Sequence, residues 1–169
     1  MASPDSAGGV VRLRAPSERV SPRARLMWLT GDALRGVVVM VFLFFATGPW
    51  NWFDLPGWVL WAIGALLLAY AVLVPQWRYL VHRWEVTETA VYTQTGWWAR
   101  ERRIAPMSRV QTVDHREGAL ARLFRLSTVR VTTASSAGAL TIEGLDRDRA
   151  LRIVEDLTRM ADSVPGDAT

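Results

Sequence analysis

The chain has 169 residues, 20 basic against 16 acidic side chains, and a formal net charge of +4 at pH 7. It has no cysteine, which excludes disulfides and thiolate metal sites, and its two histidines, His82 and His115, have no metal-ligand spacing. Every basic residue is an arginine, as the coding bias of a GC-rich genome would give.

Residues 1–18 are rich in Ser, Gly, Ala and Pro without a sustained period, and read as a disordered tail. Residues 19–35 read as a juxtamembrane segment. Pro22 suits a first helical position with Ser21 as N-cap, and Leu26, Leu29 and Ala33 share a face with Trp28 nearby. The expectation is a segment lying on the inner membrane surface, its arginines favouring anionic lipid. A simple basic flank explains it equally well.

Residues 36–80 read as a transmembrane hairpin. No charge occurs from Gly36 to Phe53 or from Leu55 to Trp77, and a spanning helix needs about 20 apolar residues. Core helices of a soluble protein would show a polar face, and neither run has one. A cleaved signal peptide fits poorly, because the first run is long and starts well inside the chain. Arg23, Arg25 and Arg35 precede the hairpin, Arg78 and Arg83 follow it, and its turn has no basic residue. Arginine beside membrane helices stays inside, so both termini are expected to be cytoplasmic.

Trp50, Trp52 and Trp58 are expected to form an outer aromatic belt, and Trp28, Trp77 and Trp84 an inner one. Gly57, Gly64, Ala65 and Ala69 give the second helix a small-residue face for packing on the first. Neither run contains an acid, a base or a histidine, so nothing supports an ion or proton path.

Residues 81–162 read as one small domain, before a C-terminal tail at 163–169. Ala90–Thr95 alternates, Gly96 turns the chain, and Trp98–Ile104 returns as a hairpin arm that Pro106 ends. Val110–His115 is a strand whose spacing predicts a bulge between Val110 and Val113. Gly118–Phe124 is a short helical turn. Ser127–Thr133 and Ala139–Glu143 are further strands. Asp146 is expected to cap a helix running to about Met160, with Ala150, Val154, Leu157 and Ala161 on its inner face. The fold class is therefore a membrane α-helical hairpin plus an α+β module: an antiparallel β-sandwich or barrel capped by a C-terminal helix.

These residues resemble the YdbS-like bacterial PH (pleckstrin-homology-like) domain family. The resemblance rests on Trp84-Glu-Val-Thr87, Gly96, the stretch from Arg103 to Asp114, Gly118-Ala-Leu-Ala-Arg-Leu-Phe124, Val129–Ala134 and Ile142-Glu-Gly-Leu145. The two preceding runs and the Val20–Arg25 lead are similar as well. One position departs: the family usually has Gly where this chain has Arg125, which puts the local turn in question. The resemblance implies a PH-like fold at a membrane, with no settled ligand and no catalysis.

The candidate lipid- or partner-binding residues are Trp97, Arg100, Arg102 and Arg103. Indoles beside guanidiniums suit a hairpin touching the headgroup region. The plainer reading is a solvated strand face with Trp98 in the core. Arg116, Arg122, Arg125 and Arg130 form a weaker basic group. Asp114 and His115 are strand neighbours facing opposite sides, and no nucleophile elbow or phosphate loop occurs, so neither catalysis nor a cofactor is expected. Nucleic acid is not an expected partner, because no aromatics interleave on a basic sheet. The expected function is a non-enzymatic inner-membrane protein presenting a PH-like domain to anionic lipid headgroups or a protein partner, possible homo-oligomers included. The alternative is a small accessory subunit of a transport or envelope-stress-resistance complex, acting through its hairpin.

Overall fold

The structure, a computed structural model, describes residues 15–96, 99–134 and 138–163. Two long helices, α1 (Arg23–Thr47) and α2 (Gly57–Val81), form the hairpin. Each has 25 residues, about 37 Å at the α-helical rise; α2 is free of charge as far as Trp77, whereas in α1 the charge-free part begins at Gly36, after Arg23, Arg25, Asp32 and Arg35. Only 6% of each apolar window is buried within the protein. A soluble core helix would be mostly buried, so these faces need an apolar surrounding. At the hairpin turn the Trp50 and Trp52 rings lie 4.8 Å apart and both are exposed, as an interfacial belt requires.

The end of the hairpin that meets the module differs from the expected inner belt. Trp28 and Trp84 are only 7% and 5% exposed, and both belong to the core of the module. Trp77 alone of the three is exposed. Burial of Trp84 is possible because its indole N–H reaches the Arg19 carbonyl at 3.3 Å and Arg149 covers its ring at 4.8 Å.

The 19–35 segment is continuous with the hairpin and joined to the module. Strand β1 (Glu18–Arg19) pairs with β2 (Arg83–Val86), matching Glu18 with Trp84 and Arg19 with Arg83. Val20, Ala24 and Trp28 then enter the core, while Leu26 faces outward. Ser21 does not cap α1. Its N–H donates to the Gly144 carbonyl at 2.8 Å and its hydroxyl donates to Asp146 at 2.9 Å. The capping role is lost because both groups are committed to a distant strand. Gly144 has φ +75°, and a Cβ there would lie 2.7 Å from Ala24 Cβ. A side chain at 144 would therefore both strain the backbone and push α1 off the sheet.

The module is two antiparallel sheets. The first has the order β1-β2-β3-β4, with β3 at Ala90–Thr95 and β4 at Glu101–Pro106. A single 3-10 turn, Met107–Arg109, leads into β5 (Val110–Arg116). The second sheet has the order β5-β6-β7, with β6 at Leu126–Thr133 and β7 at Leu140–Asp146. The expected bulge follows Val110, and a second register shift lies between Ser127 and Val129. Helix α3 (Ala119–Leu123) links β5 to β6. Helix α4 (Arg147–Ser163) packs on the second sheet and buries Ala150, Ile153 and Leu157. Ile153 replaces Val154 as the fully seated residue of that face; Val154 is only partly buried. Asp146 ends β7, and its carboxylate accepts the Ser21 hydroxyl.

Arg125 has φ +56°, so the turn after α3 keeps the left-handed backbone that glycine would favour. Its N–H donates to the Arg122 carbonyl at 3.1 Å, and its carbonyl accepts the Arg147 N–H at 3.2 Å. These bonds hold the conformation despite the side chain.

Candidate membrane-facing binding site

The site forms where the spans meet the module. Only His82 separates α2 from β2, so the first sheet starts at the helix end. Gln94 on β3 fastens this junction. Its side-chain amide donates to the Val81 carbonyl at 3.0 Å, and its oxygen accepts Arg102 Nε at 2.9 Å. A second fastening is Arg78, whose guanidinium meets Glu143 on β7 at 2.6 Å and lies 4.3 Å over the Trp28 ring. Trp28 also meets the His82 ring, with centroids 5.4 Å apart and planes tilted by 59°. Strand β7, α1 and α2 are thereby joined through Glu143, Trp28 and Arg78.

His82 is 5% exposed. Burial, and then the positive charge of Arg78, lower its pKa from 6.5 to about 4, so it is neutral at pH 7. Its buried Nδ1 has no hydrogen-bond partner among the described residues.

These elements enclose a cleft of about 430 Å³. Its floor comes from β3, β4 and β7, through residues such as Thr93, Glu101 and Glu143. Its upper wall comes from Asp32 and Arg35 of α1 and from Tyr70, Val74 and Arg78 of α2. A second, smaller cleft of about 290 Å³ lies against β4 and is lined by Arg102, Arg103 and Arg109 without an acid among its described residues.

The arginine group read from the sequence is partly brought together. Arg100 is exposed just ahead of β4. Arg102 and Arg103 pair across with Gln94 and Thr93 in β3. Arg103 Nε meets Glu101 at 2.7 Å and lines both clefts. Trp97 lies outside the described residues, as does Trp98. Arg116, Arg122, Arg125 and Arg130 sit on β5, α3, β6 and the turn between them, apart from both clefts. Asp32, His82 and Glu143 were not legible as site residues. They come from α1, the end of α2 and β7, and only the folded chain brings them together. Arg35 and Arg78 were visible, but as topological flanks.

Comparison with known proteins agrees with this architecture. The chain is 28% identical over 150 residues to the UPF0699 transmembrane protein YdbS of Bacillus subtilis (strain 168), covering 86% of this chain and 93% of that protein. No solved structure matches. Two exposed apolar helices and this likeness make the protein a membrane protein with two spans. The family model described as Bacterial PH domain matches residues 31–161, which include most of the hairpin as well as the sheets and α4. The chain belongs to the bacterial PH domain family.

Proposed function

We propose that the protein is a non-enzymatic binding module of the cytoplasmic membrane, with both termini inside and Arg100, Arg102 and Arg103 engaging anionic lipid headgroups. The observation that carries this reading is the one-residue connection between α2 and β2. It ties the first sheet, and with it the β4 arginines, to the headgroup level beside the spans. Held that close, even a weak basic patch works at high effective concentration. The arginine-free outer turn supports the orientation.

Because Val20, Ala24 and Trp28 complete the core, the test uses the full chain in nanodiscs. Hydrogen exchange over residues 99–106 should slow in phosphatidylglycerol discs relative to phosphatidylcholine discs. High salt and the triple Arg100→Gln, Arg102→Gln, Arg103→Gln variant should both remove the difference. Equal exchange in both lipids would leave a protein partner as the ligand. For the orientation, a cysteine at Asn51 should be labelled from outside intact cells and one at Ser108 should not.

A second reading has the hairpin as the working part of a larger complex. One observation favours it: an apolar groove of about 600 Å³ on the hairpin surface, lined by Met40, Phe44, Trp61, Gly64, Ala65 and Leu68. Small residues in such a groove allow close approach of another helix. Recovery of a stoichiometric membrane partner after cross-linking, lost on Ala65→Leu, would favour this reading over the first.

A further inference from the structure

The cleft between the spans and the module has a charge pattern that the β4 arginine patch does not share. Its lining carries three guanidiniums, of Arg35, Arg78 and Arg103, and three carboxylates, of Asp32, Glu101 and Glu143. They occur as pairs: Arg35 with Asp32, Arg78 with Glu143 and Arg103 with Glu101. A lone anion entering here would approach a carboxylate for every guanidinium it gained. A ligand bearing both charges a few bonds apart can match each half of such pairs, which is the more favourable arrangement.

The walls also change character along one direction. Val74 and Tyr70 lie one and two turns from Arg78 toward the middle of the span, and both line the cleft. The polar floor on the module therefore continues into the lipid-facing surface of α2. A soluble ligand has no use for that extension, whereas a phospholipid has its headgroup and its chains in this order. The wall also contains the buried ring of His82.

We propose that the cleft holds the headgroup of one intact zwitterionic phospholipid with a primary ammonium, of the phosphoethanolamine type, from the leaflet on the module's side. The phosphate lies toward Arg35, midway along α1, and Arg78, in the last turn of α2. The ammonium, farther from the acyl chains, lies toward Glu101 and Glu143 on the module. A quaternary ammonium is larger and donates no N–H, so a phosphocholine headgroup fits less well. The proposal rests on the two-span reading, but not on which side is cytoplasmic and not on the β4 patch binding anionic lipid.

The test is native mass spectrometry of the full chain in mild detergent, with added phosphatidylethanolamine, phosphatidylcholine or phosphatidylglycerol of matched chains. Phosphatidylethanolamine should bind about tenfold more tightly than phosphatidylcholine, the scale of a charge-assisted hydrogen bond. Ala139→Phe, which fills the cleft without changing a charge, should abolish that preference. Glu101→Gln should weaken phosphatidylethanolamine alone. Arg159→Gln, on α4 and outside the cleft lining, should leave its retention unchanged, which controls for the loss of one positive charge. Thermal melting of each variant checks that it is folded. Equal retention of the three lipids, preference for phosphatidylglycerol, or full retention by a folded Ala139→Phe variant would overturn the proposal. Complete competition by soluble glycerophosphoethanolamine would overturn the membrane lipid as the source.

Discussion

The two ends of the hairpin carry the same residue type and put it to opposite uses. At the hairpin turn Trp50, Trp52 and Trp58 are exposed to whatever surrounds the protein. At the module end Trp28 and Trp84 are sealed inside the module. Composition near a membrane helix cannot distinguish the two, because indole suits both a headgroup belt and a protein core. What decides is whether another part of the chain arrives to cover the ring. At the turn end the chain supplies only a short connection. At the module end β1, β2 and β7 converge on the first turns of α1.

The contrast is sharpest in paired truncations. Trp28→Ala should cost about 4 kcal/mol, as large buried aromatics do. It removes core packing and also the surface on which Arg78 and His82 rest. Trp52→Ala, on an exposed ring, should stay within about 1 kcal/mol. In detergent the first should lower the melting temperature of the module by well over 10 °C, on the scale of about 4–8 °C per kcal/mol for a small domain. Equal shifts would mean that the inner ring is a belt after all.

Gly144→Ala probes the same junction from the strand side. It combines an unfavourable φ with a 2.7 Å approach to Ala24, and should cost about 3 kcal/mol. The paired change Gly144→Ala with Ala24→Gly should recover the steric part and leave the backbone part. Thermal melts of the single and double variants separate the two. No recovery at all would place the clash elsewhere.

Acid should loosen the junction of hairpin and module selectively. The folded His82 titrates at about 4, below its ordinary 6.5. Between those values the unfolded chain binds the proton and the folded one resists it. Stability is therefore fully present above about pH 6.5 and is lost as pH falls toward 4, by about 2 kcal/mol at pH 5. His82→Gln should flatten melting temperature against pH over that window. An unchanged slope in the variant would assign the effect to other groups.

How far the sequence reveals this architecture follows from the range of the interactions. The hairpin is legible because its signal is local: long uncharged runs with arginine at the flanks away from the turn. The sandwich and its closing helix are legible from alternation, glycines and the α4 pattern. The site is not, because Arg78 and Glu143 are 65 residues apart and Ser21 and Asp146 are 125 apart. The Val20, Ala24, Trp28 stripe is present at helical spacing, but Leu26 and Leu29 make an equally apolar face beside it. In a segment apolar on several sides, periodicity alone does not say which face meets the protein.

The smallest effect concerns a turn where residue type and backbone disagree. Arg125 occupies a left-handed conformation at φ +56°, which disfavours an L side chain by roughly 1–2 kcal/mol. Glycine would remove that strain but add freedom to the unfolded chain, which offsets part of the gain. The exposed guanidinium has no ion pair among those described, so little contact energy is lost on replacement. Arg125→Gly should therefore stabilise the module by up to about 1 kcal/mol, while Arg125→Val should destabilise it, since a β-branched side chain tolerates positive φ least. The backbone bonds to Arg122 and Arg147 do not involve the side chain, so both variants should keep the turn. Opposite signs in the two melts would establish that the backbone sets the requirement here. Equal destabilisation would instead give the arginine side chain a structural contact of its own.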